Sequence, residues 1–228
     1  MPEFEIIEVK SKDDLKNFVK FPFTLYSKNK YWVPTLVKED IDHFNFLSQD
    51  LGDKISISFF LAYHNRKIVG RVAAIINWIE VKKVKKRKIR FGWFDTIDNI
   101  EVTRLLLDKV EEIGRSYKLE YIEGPMGFSI MDKAGMLIDG YTERNTMITW
   151  YNAPYYSNHM KIIGYTIQAQ WVEYEIHLSS FDESPLKVKK FSDLILKRYK
   201  LKVLNFTSKS EIIPYADQMF DLIGNTYD

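Results

Sequence analysis

Residues 124–141, GPMGFSIMDKAGMLIDGY, bring Ser129, Asp132, Lys133 and Asp139 together with Met126, Phe128, Met131 and Met136. Hydroxyl, carboxylate and ammonium groups set in an adaptable apolar lining are the composition of a small-molecule pocket wall. Ser129 and Asp132 are the first candidates to meet a ligand there. The segment also reads as a packed Ω-loop, with Gly127, Gly135 and Gly140 supplying its turns. A loop of this length without helix or strand is uncommon unless it has a function, which weighs for the binding role.

Elsewhere the chemistry-bearing residues exclude more than they propose. Cysteine is absent, so disulfides, thiolate metal sites and a cysteine nucleophile are ruled out, and a reducing cytoplasm suits the chain. His43, His64, His159 and His177 have no ligand spacing, and no metal site is expected. His159 can act as a base if it faces a cleft; otherwise it reads as a surface histidine. No nucleophile elbow, P-loop or dinucleotide fingerprint is present. The run VKKVKKRKIR (81–90) is locally basic, but the net charge is only +2, so it reads as a solvated hairpin loop and no nucleic-acid partner is expected. The longest apolar stretch, Val72 to Ile79, is broken by Asn77 and is too short for a bilayer, and the charged N-terminus has no signal-peptide core. These readings describe a soluble, cytoplasmic protein with no membrane partner. Nothing in the sequence speaks to its oligomeric state.

Hydrophobic residues make up 46% of the 228, enough for a substantial core. Phe4 to Val9 alternates as a strand, and Ser11-Lys12-Asp13-Asp14 offers a capping box for a helix with Leu15, Phe18 and Val19 on its apolar stripe. Pro22 and Pro34 punctuate an aromatic stretch, with a second helix near Thr35 to Phe46. Ile55 to Tyr63 and Lys67 to Trp78 read as a hairpin joined at His64-Asn65-Arg66, followed by a strand over Ile89 to Asp95. From Asn99 to Tyr117 the period turns helical, with Val102, Leu106, Val110, Ile113 and Tyr117 on one face. Leu119 to Ile122 returns to strand, Pro154 to Ile163 reads as a helix stopped by Gly164, and Tyr165 to His177 as a last strand. An antiparallel meander passing into a βαβ crossover is an α+β plan with a mixed, largely antiparallel central sheet flanked by helices.

The two ends of the chain are alike. Leu201 to Phe206 reads as a strand, Ser208-Lys209-Ser210-Glu211 as a capping box, and the helix that follows carries Tyr215, Met219 and Leu222, as at the N-terminus. One reading makes residues 186–228 the start of a second, incomplete tandem module after a first domain over 1–180. The other makes them a C-terminal extension packed on one domain.

The order of elements, with NAPYYSNHMKIIGYTI, FGWFDTIDN and EGPMGFSIMDKAGMLIDGY, resembles the GNAT acyltransferase superfamily, and within it an uncharacterised bacterial subfamily of tandem GNAT-like proteins. The resemblance covers about residues 1 to 180. It implies an N-acyltransferase that uses acetyl-CoA and a small-molecule acceptor. It places the CoA pyrophosphate at Thr96, Ile97, Asp98 and Asn99, ahead of the long helix. It also implies a tyrosine acid in the late helix, where Tyr155 and Tyr156 stand one turn before the matching position, Met160. The pyrophosphate turn of the superfamily is glycine-rich, whereas residues 95–101 contain no glycine and carry Asp98 and Glu101, which would repel a diphosphate. An atypical CoA site is expected, the alternative being a GNAT-derived module that binds a small ligand without acyl transfer.

Overall fold

The structure, a computed structural model, describes residues 4–49, 54–129, 132–146, 148–175 and 184–226. The chain divides into two compact units, Met1–Gln168 and Ala169–Asp228.

In the first unit β1 (Glu5–Glu8), β2 (Ile55–His64), β3 (Lys67–Asn77), β4 (Lys88–Thr96) and β5 (Tyr121–Glu123) form one sheet in that order, antiparallel except for the parallel β4–β5 pair. Helices α1 (Lys12–Leu25) and α2 (Val37–Gln49) cover one face, and α3 (Ile100–Ser116) and α4 (Tyr155–Ile163) the other. This is the α+β class expected, with a mixed, largely antiparallel central sheet flanked by helices. Alternation along the strands feeds both cores: Phe60 and Ala62 pack with Val102 and Leu106, whereas Phe59 and Leu61 pack with Phe18 and Phe44. β3 lies between them and is buried from Val69 to Ile76.

Local signals act as their chemistry dictates. Ser11 and Asp14 cap α1 reciprocally. Asn65 and Arg66 turn the β2–β3 hairpin at φ 48° and 65°, the paired left-handed residues of a type I′ turn. Asn99 caps α3 by accepting from the Glu101 amide, and Gly164 stops α4 at φ 100°.

Three expectations need correction here. Pro22 lies inside α1 and does not end it. A proline there leaves the Phe18 carbonyl without its helical donor, and Arg71 Nη1 takes that carbonyl at 2.8 Å. The basic run does not stay in solvent: after the exposed loop, Lys88 and Arg90 turn into the protein and meet Glu80 and Glu123. Tyr165 to His177 does not form a strand over its described part, 165–175. Its alternation marks a face suited to burial, but among the described residues no strand pairs with it, and Ile167, Trp171 and Tyr174 are exposed. The rest of that segment lies outside the described residues, as does Met131.

In the second unit α5 (Ser184–Tyr199) is followed by 201–206, which has no regular secondary structure and pairs with no strand among the described residues, where a strand was expected. α6 (Lys209–Ile212) and α7 (Ala216–Thr226) follow. The Ser208 hydroxyl makes no cap bond to the backbone; instead Glu211 accepts from the Thr207 amide and from the Thr207 and Ser208 hydroxyls.

Candidate active site

β4 is bulged at its C-terminal half. Arg71 pairs with Asp95 and Ala73 with Gly92, so two steps along β3 answer three along β4. Trp93 takes up the extra residue at φ 43°, a conformation costing on the order of 1–3 kcal/mol for a bulky side chain. Strain held by surrounding packing concentrates at functional sites, and here it aims Trp93 toward α2 and Phe94 toward α4. β5 pairs with β4 only through Arg90 and Glu123. The last tie is the Met126 amide on the Phe91 carbonyl at 2.9 Å. From Trp93 onward β4 has no ladder partner on that edge among the described residues.

A buried polar chain closes the end of the strand. Arg71 Nε meets Asp95 Oδ2 at 2.7 Å, the Tyr26 hydroxyl donates to Asp95 Oδ1 at 2.9 Å, and the Tyr26 and Tyr156 hydroxyls are 2.9 Å apart. The Thr96 amide donates to the Tyr156 oxygen at 2.9 Å, and the Tyr155 hydroxyl donates to the Thr96 carbonyl at 2.6 Å. Burial raises the Asp95 carboxyl above its usual range, with Arg71 and Tyr26 pulling the other way. Burial, aided by the Asp95 charge, holds the Tyr26 and Tyr156 phenols well above the ordinary tyrosine value, and Tyr155 is raised by the same two causes, with Asp98 adding to them. Tyr156 is fully buried and committed to this chain. Tyr155 is half-buried and lines a cavity of about 320 Å³ with Leu25, Tyr26, Lys28, Asn29 and Ala153.

At the start of α3, Thr96 is buried and the Ile97 amide is bonded to Val69. Asp98 is exposed, and Asn99 spends its side chain on the cap. His159 is not a surface histidine. It is buried, with Nδ1 2.9 Å from the Thr103 hydroxyl and Nε2 3.3 Å from Asp98. Arg104 stands 3.8 Å from Glu101. The carboxylates expected to repel a diphosphate each have a cationic or protonatable neighbour, and the helix end remains glycine-free.

Ser129 and Asp132 do not join the tyrosines. They lie on the α1/α2 side, where the Ser129 amide donates to Asp132 Oδ2 at 2.7 Å and the Ser129 hydroxyl at 3.2 Å. Asp132 Oδ1 is 3.2 Å from Nε2 of His43, a residue that no spacing or motif had singled out. Burial works to raise Asp132, but His43 and the Ser129 amide more than offset it and hold it below the usual range. Asp132 in turn raises His43 against the opposing effect of burial. Arg71, Asp95 and Tyr26 were missed too. A lone cation and a lone acid in adjacent β-runs carry no mark of pairing, although Asp95 inside a hydrophobic strand was the available hint. Among the described residues, no group of three or more His, Asp and Glu side chains is placed to hold a metal ion, and no helix is long and apolar enough to cross a membrane.

No family model matches the chain. It is 26% identical over 211 residues to Protein YghO of Escherichia coli, covering 92% of this chain and 54% of that protein. It is 24% identical over 164 residues to a bacterial ceramide synthase of Caulobacter vibrioides, covering 72% and 43%. The chain thus spans about half the length of these curated relatives. Among solved structures it resembles aminoglycoside N-acetyltransferase AAC(6')-Iy in complex with CoA, at 11% identity and TM-score 0.44, over 76% of this chain and 95% of that one. It also resembles a transcriptional regulator from Bacillus halodurans, at 11% identity and TM-score 0.45, over 76% and 99%. Likeness at this level bears on neither chemistry nor substrate.

The His43–Asp132 pair has a pH signature. His43 binds its proton more tightly folded than unfolded, so its contribution is full below about pH 6.5, the ordinary histidine value, and is lost as pH rises through the raised value. Asp132, lowered, contributes above the ordinary carboxylate value and loses its contribution as pH falls. The melting-temperature deficit of Asp132→Asn is therefore expected to peak at about pH 5–6.5, where both partners are charged, and to shrink above about pH 8. A deficit constant across that range would show that the pair is not ionised.

Proposed function

We propose that this chain is an N-acyltransferase module that moves an acyl group from a CoA thioester to an amine at the C-terminal end of β4. The supporting observation is the bulged, unpartnered edge of β4 beside the cavity bounded by Tyr26 and Tyr155. A thioester laid along that edge meets strand amides able to hold the developing oxyanion. The Tyr155 hydroxyl, at the cavity wall, can give hydrogen bonding or a proton to the leaving thiolate, a part the buried Tyr156 is placed to support through Thr96. A ceramide is an amide, so the name of one curated relative describes acylation of an amine, the same bond. Residues 186–228 are assigned, in this reading, to a second tandem module. The diphosphate grip is atypical, with Asn99, Asp98 and Glu101 where the superfamily has glycines.

That last feature also favours a second reading, a module that keeps the fold and binds a small ligand without acyl transfer. Melting temperature with acetyl-CoA and octanoyl-CoA tests the two. At a hundred times Kd, mass action stabilises by about 2.7 kcal/mol, a rise of roughly 5–10 °C for a unit of this size. Asp98→Asn and Glu101→Gln are each expected to tighten CoA binding roughly fivefold, since a like charge near the phosphates costs about 1 kcal/mol at the surface. No rise at millimolar ligand, in the chain or in the double variant, would overturn acyl transfer and leave ligand binding.

A further inference from the structure

We infer that His43, held beside Asp132, is the base that takes the proton from the acceptor amine, which binds on the α2 side of β4 at the exposed edge of His43. The inference rests on the acyl-transfer reading above. Ser129, Asp132 and His43 stand in line: the Ser129 amide and hydroxyl fix one carboxylate oxygen, and the other lies 3.2 Å from His43 Nε2. Nε2 is buried 3.2 Å from Asp132 Oδ1, in ion-pair contact but without the alignment of a hydrogen bond, while the His43 side chain stays 40% exposed, so the approachable edge of the ring is the one away from the carboxylate. This is the arrangement of a base with a carboxylate beside it.

The surroundings suit a cationic acceptor. His43 lies 6.1 Å, ring to ring, from Trp93, which is buried against Phe44 and Trp150 and is the bulged residue of the strand edge where the thioester is placed, so the acceptor meets the exposed edge of His43 and not the indole face. The charged groups facing His43 are Asp132 from the loop and Asp40 from its own helix; Lys133 follows Asp132 and lies near Asp40 and Asp95, its ammonium pushed down by burial. In the reaction, His43 takes one proton from the ammonium, and the freed lone pair forms the C–N bond as the C–S bond breaks with its electrons on sulfur. The second proton shed by nitrogen ends on the thiolate, and His43 returns its own to water.

The chain has no cysteine, so a thiol reagent reads released CoA alone. Octanoyl-CoA is supplied with ethanolamine or 2-aminooctan-1-ol, and amine-dependent thiol release is followed from pH 5.5 to 9. His43→Ala is expected to lose about 100-fold or more in kcat with its octanoyl-CoA melting shift unchanged, and added imidazole to restore part of the loss. His43→Gln, which keeps the helix surface filled, is carried in parallel. In Asp132→Asn the acid limb of kcat is expected to move to lower pH, because the carboxylate that favours the imidazolium is gone. If the unaltered chain releases no amine-dependent thiol, acyl transfer and this inference fall together. If it turns over and the folded His43 variants match it, or imidazole fails to rescue His43→Ala, the base assignment alone falls.

Discussion

Arg71→Met is expected to destabilise the first unit by about 3–5 kcal/mol, the usual cost of stripping one partner from a buried ion pair. At about 2–4 °C per kcal/mol for a unit of this length, the melting temperature falls by roughly 6–20 °C. The size of the effect follows from what Arg71 answers. One nitrogen neutralises Asp95 at 2.7 Å, and another fills the carbonyl that Pro22 leaves open in α1 at 2.8 Å. Methionine keeps an apolar stem but supplies neither donor, and it loses the guanidinium that lies 5.0 Å over the Phe18 ring. The carboxylate left behind is buried among Tyr26, Tyr156 and Thr96 and must take up a proton. Its folded pKa, already raised by burial, loses the influence that opposed burial and rises further. A group raised in this way stabilises fully below its unfolded value, near 3.9, and loses that contribution as pH climbs through the folded value. The deficit therefore grows from pH 4 toward 7, by at most about 1.4 kcal/mol per unit. Asp95→Asn in the same chain is expected to return a large part of it at pH 7, because the uncompensated charge is gone. A deficit flat in pH, or one that Asp95→Asn deepens, would mean that the pair contributes packing and not charge balance.

What could be read in the sequence divides along the same line. The capping box at Ser11, the turn at Asn65-Arg66, the cap at Asn99 and the stop at Gly164 each depend on a residue's own backbone and its near neighbours, so their signals are local. Pro22 misled because the remedy for its missing donor comes from Arg71, 53 positions beyond the Phe18 carbonyl that it fills. Lys88 and Arg90 looked like solvent charges because Glu80 and Glu123, which offset them, arrive from a different turn and a different strand. Ser129 and Asp132 stood out by composition, and Tyr155 and Tyr156 by resemblance. No periodicity in α2 could single out His43, whose meaning depends on a loop on the far side of four strands and a helix. Pairing across the sheet is a tertiary fact. The tyrosines and the Ser129–Asp132 pair then turn out to flank the end of one strand from opposite faces.

That strand end depends on a glycine, and Gly92→Ala is expected to cost at least about 2 kcal/mol, toward the upper part of the range for overpacking a filled site. Without a clash the sign would be opposite, since glycine inside a strand gives up roughly 0.5–1 kcal/mol relative to alanine. A Cβ at residue 92 would stand 2.4 Å from the Met126 carbonyl oxygen and 3.2 Å from its carbon. Both are backbone atoms, tied to β4 by the Met126 amide on Phe91, and cannot rotate aside. Gly70 provides the contrast. A Cβ there meets first the tip of Leu106 at 2.8 Å, a side-chain end with other rotamers, then Val102 Cγ1 at 3.1 Å and the Asp95 carbonyl oxygen at 3.2 Å, milder contacts, so Gly70→Ala is expected to cost about 1 kcal/mol, less than Gly92→Ala. The two variants differ in reach as well as in size. Moving Met126 off β4 also draws away Phe128, whose carbonyl accepts from Arg90, and next to it Ser129, which holds Asp132 against His43. In Gly92→Ala the His43 titration seen by NMR should fall back toward the ordinary histidine value, while Gly70→Ala leaves it raised. If Gly92→Ala melts at or above the unaltered chain with His43 undisturbed, the close approach of residue 126 does not hold the site together, and the loop must be positioned from its α2 side instead.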